Sequence, residues 1–473
     1  MQFKTNTMDI IKFGTDGWRA IIAATYTVTN VKRIAKATAI WVKGMSDKPS
    51  IVLGYDCRFG GFLFSETVID VMASEGVKVY FDKNFVSTPM ISLAANKLQS
   101  TAGVILTASH NPPSYNGYKL KSNYGGPTVP SQIQVVEDLI PSEVQVQSKS
   151  FEEHVANGHL EFVDFEQMYF DHVVAHFDME TIRNSKYTLA YDAMFGAGQR
   201  ILPRLLPNAA TLHCEYNPSF MGQAPEPIHK NLQEFSDMIK GDPNLSLGLA
   251  NDGDADRIGL YNSKGEFIDA HHILLLLIHI LFKYKKMTGK VVIAFSVSPK
   301  INKMCKAYGI ECQVTPIGFK HIAEIMIKDD VLVGGEESGG IAVKGHIPER
   351  DGIWDGLVIL EHMAKTNTSI EELVAEVYEV VGAFSYNRND LHLKESKKQE
   401  IIANCKANKY TSFGEFNIEE VESIDGFKYH LGNDRNVMIR PSGTEPVLRV
   451  YAEAETPEMV EEILKQTKAV LLA

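Results

Sequence analysis

One pattern constrains this chain more than any other. A strand–helix–strand–helix–strand run occurs three times, and each run ends in a loop dense in glycine and polar or acidic residues. The first run covers 50–55, 62–75, 77–81, 89–98 and 103–106 and passes into TASHNP. The second covers 187–191, 197–206, 211–215, 232–240 and 245–250 and passes into NDGDADR. The third covers 290–295, 299–308, 311–314, 319–327 and 331–333 and passes into GGEESGG. Short β-branched runs alternating with amphipathic stretches predict α/β architecture. Ligands of open α/β sheets bind beyond the carboxyl ends of strands, so the three loops are three candidate walls of one site.

Beyond residue 382 the style changes. Lys/Glu-rich segments precede strand-like 436–439 and 447–452 and a final helix, 457–472, which predicts a small α+β domain. A fourth unusual loop, RPSGTEP, lies between those two strands. At 473 residues the chain is long enough for about three or four domains. The boundaries fall at 1–155, 156–262, 263–381 and 382–473.

A net charge of −12 without a dense Lys/Arg tract argues against nucleic-acid and anionic-membrane partners. The five cysteines show neither C-x-x-C nor Cys/His zinc spacing, which suits a reducing cytoplasm. The N-terminal stretch lacks a signal-peptide apolar core. The most apolar run, 273–282, is too short to span a bilayer and contains a histidine, so a buried helix is expected.

The loops differ in chemistry. Asp252, Asp254 and Asp256 are separated only by Gly253 and Ala255, so three carboxylates can converge on one hard cation, with Mg²⁺ favoured over softer metals. An EF-hand is excluded, because its sixth and twelfth positions are Arg257 and Ser263. An aspartyl-phosphate enzyme using Asp252 as nucleophile and a plain solvated acidic turn stay open. Arg440-Pro-Ser-Gly-Thr-Glu-Pro446 has a guanidinium, two hydroxyls and a glycine, the makings of an anion clamp. In Gly334–Gly340 two carboxylates and a serine suit sugar hydroxyls. No Walker A motif occurs, and Gly196-Ala-Gly198 lacks a third glycine, so no nucleotide cofactor is indicated. Residues 104–120, VILTASHNPPSYNGYKL, read as a buried strand and the turn-rich loop leaving it, with Ser109 exposed at the strand tip. A metal site, a phosphate clamp, a hydroxyl reader and that serine together suit phosphoryl transfer on a sugar phosphate.

FGTDGWR, TASHNP, DGDADR, GEESGG and RPSGTEP stand here in an order and spacing that resemble the α-D-phosphohexomutases, the phosphoglucomutase/phosphomannomutase family, from end to end. The resemblance implies three similar α/β domains with mixed sheets and a C-terminal α+β domain, arranged as a heart around a central cleft. It implies that Ser109 is the phosphoserine and that its oxygen joins Asp252, Asp254 and Asp256 around Mg²⁺. His110 and Lys119 become proton-transfer and charge-stabilising groups, and Arg19 a support for the phosphoserine. Arg257 and Lys320 face the substrate, Glu336 and Ser338 grip its hydroxyls, and Arg440, Ser442, Gly443 and Thr444 hold the idle phosphate.

The implied reaction moves the phosphoryl group from phospho-Ser109 to a hexose phosphate and takes the other phosphate back after the bisphosphate turns over. Glucose 1,6-bisphosphate is then the activator. The stretch GGEESGGIAVKGHIPERDGIWDGL, residues 334–357, resembles family members acting on glucose phosphate, with Gly340 where phosphoglucosamine mutases usually have His, and Gly318-Phe-Lys-His321 departs from the mannose-preferring Gly-His pattern, which implies glucose 1-phosphate and glucose 6-phosphate as substrates and mannose phosphate as a second. Phosphomannomutase, phosphoglucosamine mutase, an aspartyl-phosphate sugar phosphatase and a non-catalytic sensor are the alternatives. A cytoplasmic monomer or weak homodimer is expected.

Overall fold

The computed structural model describes residues 10–14, 16–441 and 447–473. The chain divides into two compact units, one of Met1–Ile293 with Gly318–Val374, the other of Ala294–Ile317 with Ala375–Ala473.

In the first unit, the first sheet has the order Trp18–Ile21, Tyr115–Ser122, Ala102–Leu106, Ser50–Tyr55, Lys78–Phe81, Leu160–Phe162. Its centre is parallel, because helices Gly61–Ser74 and Thr88–Lys97 link the central strands as right-sized crossovers. The fully apolar Ile51-Val52-Leu53 run is buried, as a central strand covered on both faces requires. Helix Val28–Met45, capped by Thr27, packs Val31, Ile34 and Val42 into the core with Val68, Met72 and Val104.

The stretch after TASHNP is not a loop throughout. Tyr115–Ser122 is an eight-residue strand running antiparallel to Ala102–Leu106, and this hairpin makes the sheet mixed. Its Tyr-Lys-Leu-Lys alternation looks polar, yet Lys119 and Lys121 are both buried. Lys121 lies 2.6 Å from Glu349, and Ser92 donates to the same carboxylate at 2.7 Å. Breaking such a pair leaves an uncompensated buried charge. Lys121→Met should therefore destabilise the protein by about 3–5 kcal/mol, and Lys121→Met with Glu349→Leu by much less, as chemical denaturation would show.

The second sheet runs Phe267–Ile268, Ile258–Asn262, Leu245–Asn251, Thr188–Asp192, Ala210–Leu212. The expected helix 197–206 is broken into a 3₁₀ turn, Ala197–Gln199, and a short helix, Ile201–Leu205. The following strand is confined to Ala210–Leu212 rather than 211–215. In the third set, Lys290–Ala294 pairs parallel with Val331–Gly335, which pairs antiparallel with Ile341–Val343. The apolar run forms helix Ala270–His279, capped by Asp269 and buried along most of its length. No helix among the described residues is long and apolar enough to cross a membrane. The five cysteines are free thiols.

The second unit is built on an antiparallel sheet in the order Ser385–His392, Val447–Ala454, Asn436–Pro441, Phe427–His430, Glu420–Glu422, against which helix Pro457–Leu472 packs. Residues 294–317 belong to it. Phe295 clusters with Met438 and Tyr451, Ile317 N–H donates to Asp425 at 3.0 Å, and Lys300 and Lys303 pair with Asp434 at 2.9 and 2.8 Å.

Candidate active site

Ser109 stands one turn beyond strand Ala102–Leu106 with φ of 51°, a left-handed conformation that costs a non-glycine residue energy. Surrounding bonds hold it there. Its N–H donates to Thr107 Oγ1 at 2.8 Å, and Thr107 donates to Asp56 at 2.5 Å. Arg58, buried and paired with Asp56 at 3.2 Å, donates to the carbonyls of Ser109, Asn111, Pro112 and Tyr115 at 2.6, 2.7, 2.9 and 3.0 Å. One guanidinium thus staples the whole turn. Arg19 adds a bond to Asn111 Oδ1 at 2.8 Å.

The serine is not exposed. It is 1% accessible, because its hydroxyl donates to Asp252 Oδ2 at 2.6 Å and the metal-type loop closes over it. A Cβ on Gly253 would sit 2.5 Å from the Ser109 carbonyl oxygen, so only glycine permits this approach. His110 Nδ1 lies 3.3 Å from Ser109 Oγ. Burial, then Arg257 and Arg19, push the His110 imidazole well below its usual range, so it is neutral.

Asp252, Asp254 and Asp256 are all buried and offer oxygens within 4.8 Å of one another. Asp252 Oδ1 accepts from the N–H groups of Asp256 and Arg257 at 3.1 and 3.2 Å. Asp254 Oδ2 accepts from Thr88 at 2.5 Å and Lys119 at 2.8 Å, and Asp256 Oδ2 from Arg350 at 2.6 Å. Oδ1 of Asp254 and Oδ1 of Asp256 are buried with no hydrogen-bond partner. Burial raises the Asp252 carboxyl well above the usual range, with repulsion from Asp254 and Asp256 adding to it. Uncompensated oxygens and mutual repulsion fit a hard divalent cation.

Lys119 reaches the site from strand Tyr115–Ser122, a stretch that the sequence presents as a loop. It is wholly buried, within 2.9 Å of Asp16, 2.8 Å of Asp254 and 3.4 Å of Asp256. Burial disfavours its charge, but those carboxylates outweigh it and keep the ammonium protonated. Asp16, in turn, lies 2.5 Å from Arg350 Nη2.

The third loop joins the others by backbone bonds. Ile258 N–H donates to the Gly339 carbonyl at 3.0 Å, and Gly352 N–H to Ala255 at 3.2 Å. Glu336 is buried, Ser338 half-buried, and Arg257 lies 3.9 Å from Asp252 and 4.0 Å from Glu226. A cavity of about 170 Å³ beside the site is lined by Lys12, Asp16, Gln134, Lys320 and Arg350 among others.

Burial pushes Glu336 up to about 7 against the pull of Arg350. The folded state therefore keeps a proton that the unfolded chain releases above its ordinary value of 4.5, so this contribution to stability is lost as pH rises from about 4.5 through 7. In metal-free buffer, Glu336→Gln should remove up to about 3 kcal/mol of that loss. Unfolding free energies at pH 5 and pH 8 for the two proteins check it.

Arg440 belongs to the second unit, half-buried, with Nε and Nη2 each 3.4 Å from Asp425. Ser442, Gly443 and Thr444 lie outside the described residues.

Models of the phosphoglucomutase/phosphomannomutase α/β/α domains I, II and III match residues 11–147, 167–265 and 269–381, and the model of the C-terminal domain matches 392–470. The chain belongs to the phosphoglucomutase/phosphomannomutase family. It is a phosphohexomutase with the family's four-domain α/β architecture. A Thermococcus kodakarensis phosphoglucomutase/phosphomannomutase is 28% identical over 96% of both chains. The Methanocaldococcus jannaschii phosphoglucosamine mutase is 30% identical over 88% of this chain and 90% of its own. A solved structure from Thermus thermophilus, provisionally described as a phosphomannomutase, superposes with a TM-score of 0.86 at 30% identity over 98% of this chain and 100% of that one.

Sequence reading missed Arg58, Asp16, Thr88 and Arg350. Asp16 sits in FGTDGWR beside Gly17, and Arg350 sits in the 334–357 stretch between Glu349 and Asp351, so a charge close to a glycine-rich motif was the available signal. Thr88 carried none.

Proposed function

We propose that this phosphohexomutase interconverts hexose 1-phosphates and hexose 6-phosphates through phospho-Ser109, with glucose phosphate as its preferred substrate and glucose 1,6-bisphosphate as activator. The observation that carries the reading is the Ser109 hydroxyl 2.6 Å from one of three buried carboxylates, two of which keep an unpartnered oxygen. Asp252, Asp254, Asp256 and the Ser109 oxygen would hold Mg²⁺, which supplies positive charge against the developing charge of the moving phosphoryl group.

The protein's own groups do the rest. Lys119, kept charged, balances negative charge beside Ser109. Neutral His110 is within reach to exchange a proton with Ser109 Oγ. Arg58 and Arg19 fix the turn, so the nucleophile needs no reorganisation. Glu336 and Ser338 receive sugar hydroxyls, with Arg257 and Lys320 toward the substrate. Arg440 with Ser442, Gly443 and Thr444 takes the phosphate that is not reacting.

Both Asp252 oxygens are engaged, by two backbone N–H groups and by Ser109, which counts against Asp252 as a phosphoryl acceptor. Phosphoglucosamine as substrate is the second reading, favoured by relatives named phosphoglucosamine mutases. Two measurements test these readings. Labelled glucose 1,6-bisphosphate should leave its label on the peptide containing Ser109, and label elsewhere rejects the mechanism. Comparison of glucose, mannose and glucosamine 1-phosphates should rank glucose first, and a preference for the amino sugar selects the second reading.

A further inference from the structure

Three consecutive residues, Glu349-Arg350-Asp351, are charged and buried, and each is tied to a different part of the first unit. Glu349 meets Lys121 and Ser92. Asp351 accepts from Tyr169 at 2.7 Å and from the N–H groups of Ile353 and Trp354, capping helix Gly352–Thr366. The backbone on both sides of Arg350 is thereby fixed. Arg350 itself donates from Nη2 to Asp256 Oδ2 at 2.6 Å and to Asp16 Oδ2 at 2.5 Å, while Nη1 lies 3.5 Å from Glu336 Oε2. Its guanidinium rests 5.2 Å from the centre of the Phe319 ring. A Cβ on Gly340 would sit 2.4 Å from Arg350 Cδ, so the arginine crosses the third loop where that loop has no side chain.

We propose that Arg350 is a positioning residue that couples sugar recognition to the metal carboxylates. By occupying Asp256 Oδ2 it leaves Oδ1 as the oxygen free for a cation. The same planar group holds Glu336, so the hydroxyl reader and the metal ligand are set by one rigid fork. A lysine keeps the charge but cannot span three carboxylates in one plane. This proposal rests on the mutase reading.

The test compares wild type with Arg350→Lys and Gly340→Ala, the second of which displaces the arginine without changing any charge. Calorimetric titration with Mn²⁺ in the absence of substrate reads the metal side. We expect about tenfold weaker Mn²⁺ binding in both variants, with kcat falling and KM rising together, whereas Glu336→Gln raises KM alone. Wild-type Mn²⁺ affinity in both variants, with or without a lowered melting temperature, overturns the coupling and leaves the mutase reading standing. If the wild type binds no Mn²⁺, the metal assignment and this proposal fall together, while labelling of Ser109 still decides the nucleophile.

Discussion

Ser109→Ala should cut mutase turnover by at least ~10³-fold and abolish labelling by the bisphosphate, while the protein stays folded. The hydroxyl is the only group lost. Its main partner, Asp252, keeps both backbone N–H donors, and the turn keeps its four bonds from Arg58. The backbone of Ser109 is held by Thr107 and Arg58 rather than by its own side chain, so alanine inherits the same left-handed φ. A circular dichroism spectrum and melting temperature close to wild type, with turnover lost, is the expected pair of results. Retained turnover would sink the phosphoserine mechanism.

Asp252→Asn should be nearly as damaging to activity and yet not to the fold. Asparagine has the same shape and still accepts from Asp256 N–H and Arg257 N–H. What disappears is one of three converging negative charges, so Mn²⁺ affinity should fall by about 100-fold or more and kcat/KM with it. In metal-free buffer the melting temperature should hold or rise, because burial and the charges of Asp254 and Asp256 already oppose ionisation of this carboxyl. A variant that loses stability in chelator while binding Mn²⁺ normally would show that the triad is a structural cluster. Full activity in Ser109→Ala combined with total loss in Asp252→Asn would instead favour an aspartyl-phosphate enzyme.

The loops that end strands were legible because their glycine and polar content contrasts with the apolar runs before them, and the structure brings Ser109, His110, Lys119 and the three aspartates together. Buried charge was not legible. Lys119, Lys121 and Arg350 look like solvated residues, since a charged side chain is ordinarily exposed, and only partners distant in the sequence make their burial tolerable. The strand Tyr115–Ser122 was hidden for the same reason, its inward positions being filled by lysines. Helix Val28–Met45 shows its cap and apolar face plainly but lies outside the threefold pattern. The break at residue 200 of the second run follows from Gln199, which donates to the Phe195 and Gly196 carbonyls at 3.2 and 2.9 Å and tightens the turn.

The second unit is discontinuous in sequence: the chain enters it at Ala294, leaves at Ile317 and returns at Ala375. An expression fragment trimmed after residue 374 would retain Phe295 but lose Met438 and Tyr451, and would retain Lys300 and Lys303 but lose Asp434. A C-terminal piece beginning at residue 375 would have the opposite defect, an apolar face without its cover. Neither half can be cut out along a single boundary, so isolating the C-terminal module for ligand-binding work calls for a fusion that supplies 294–317 as well.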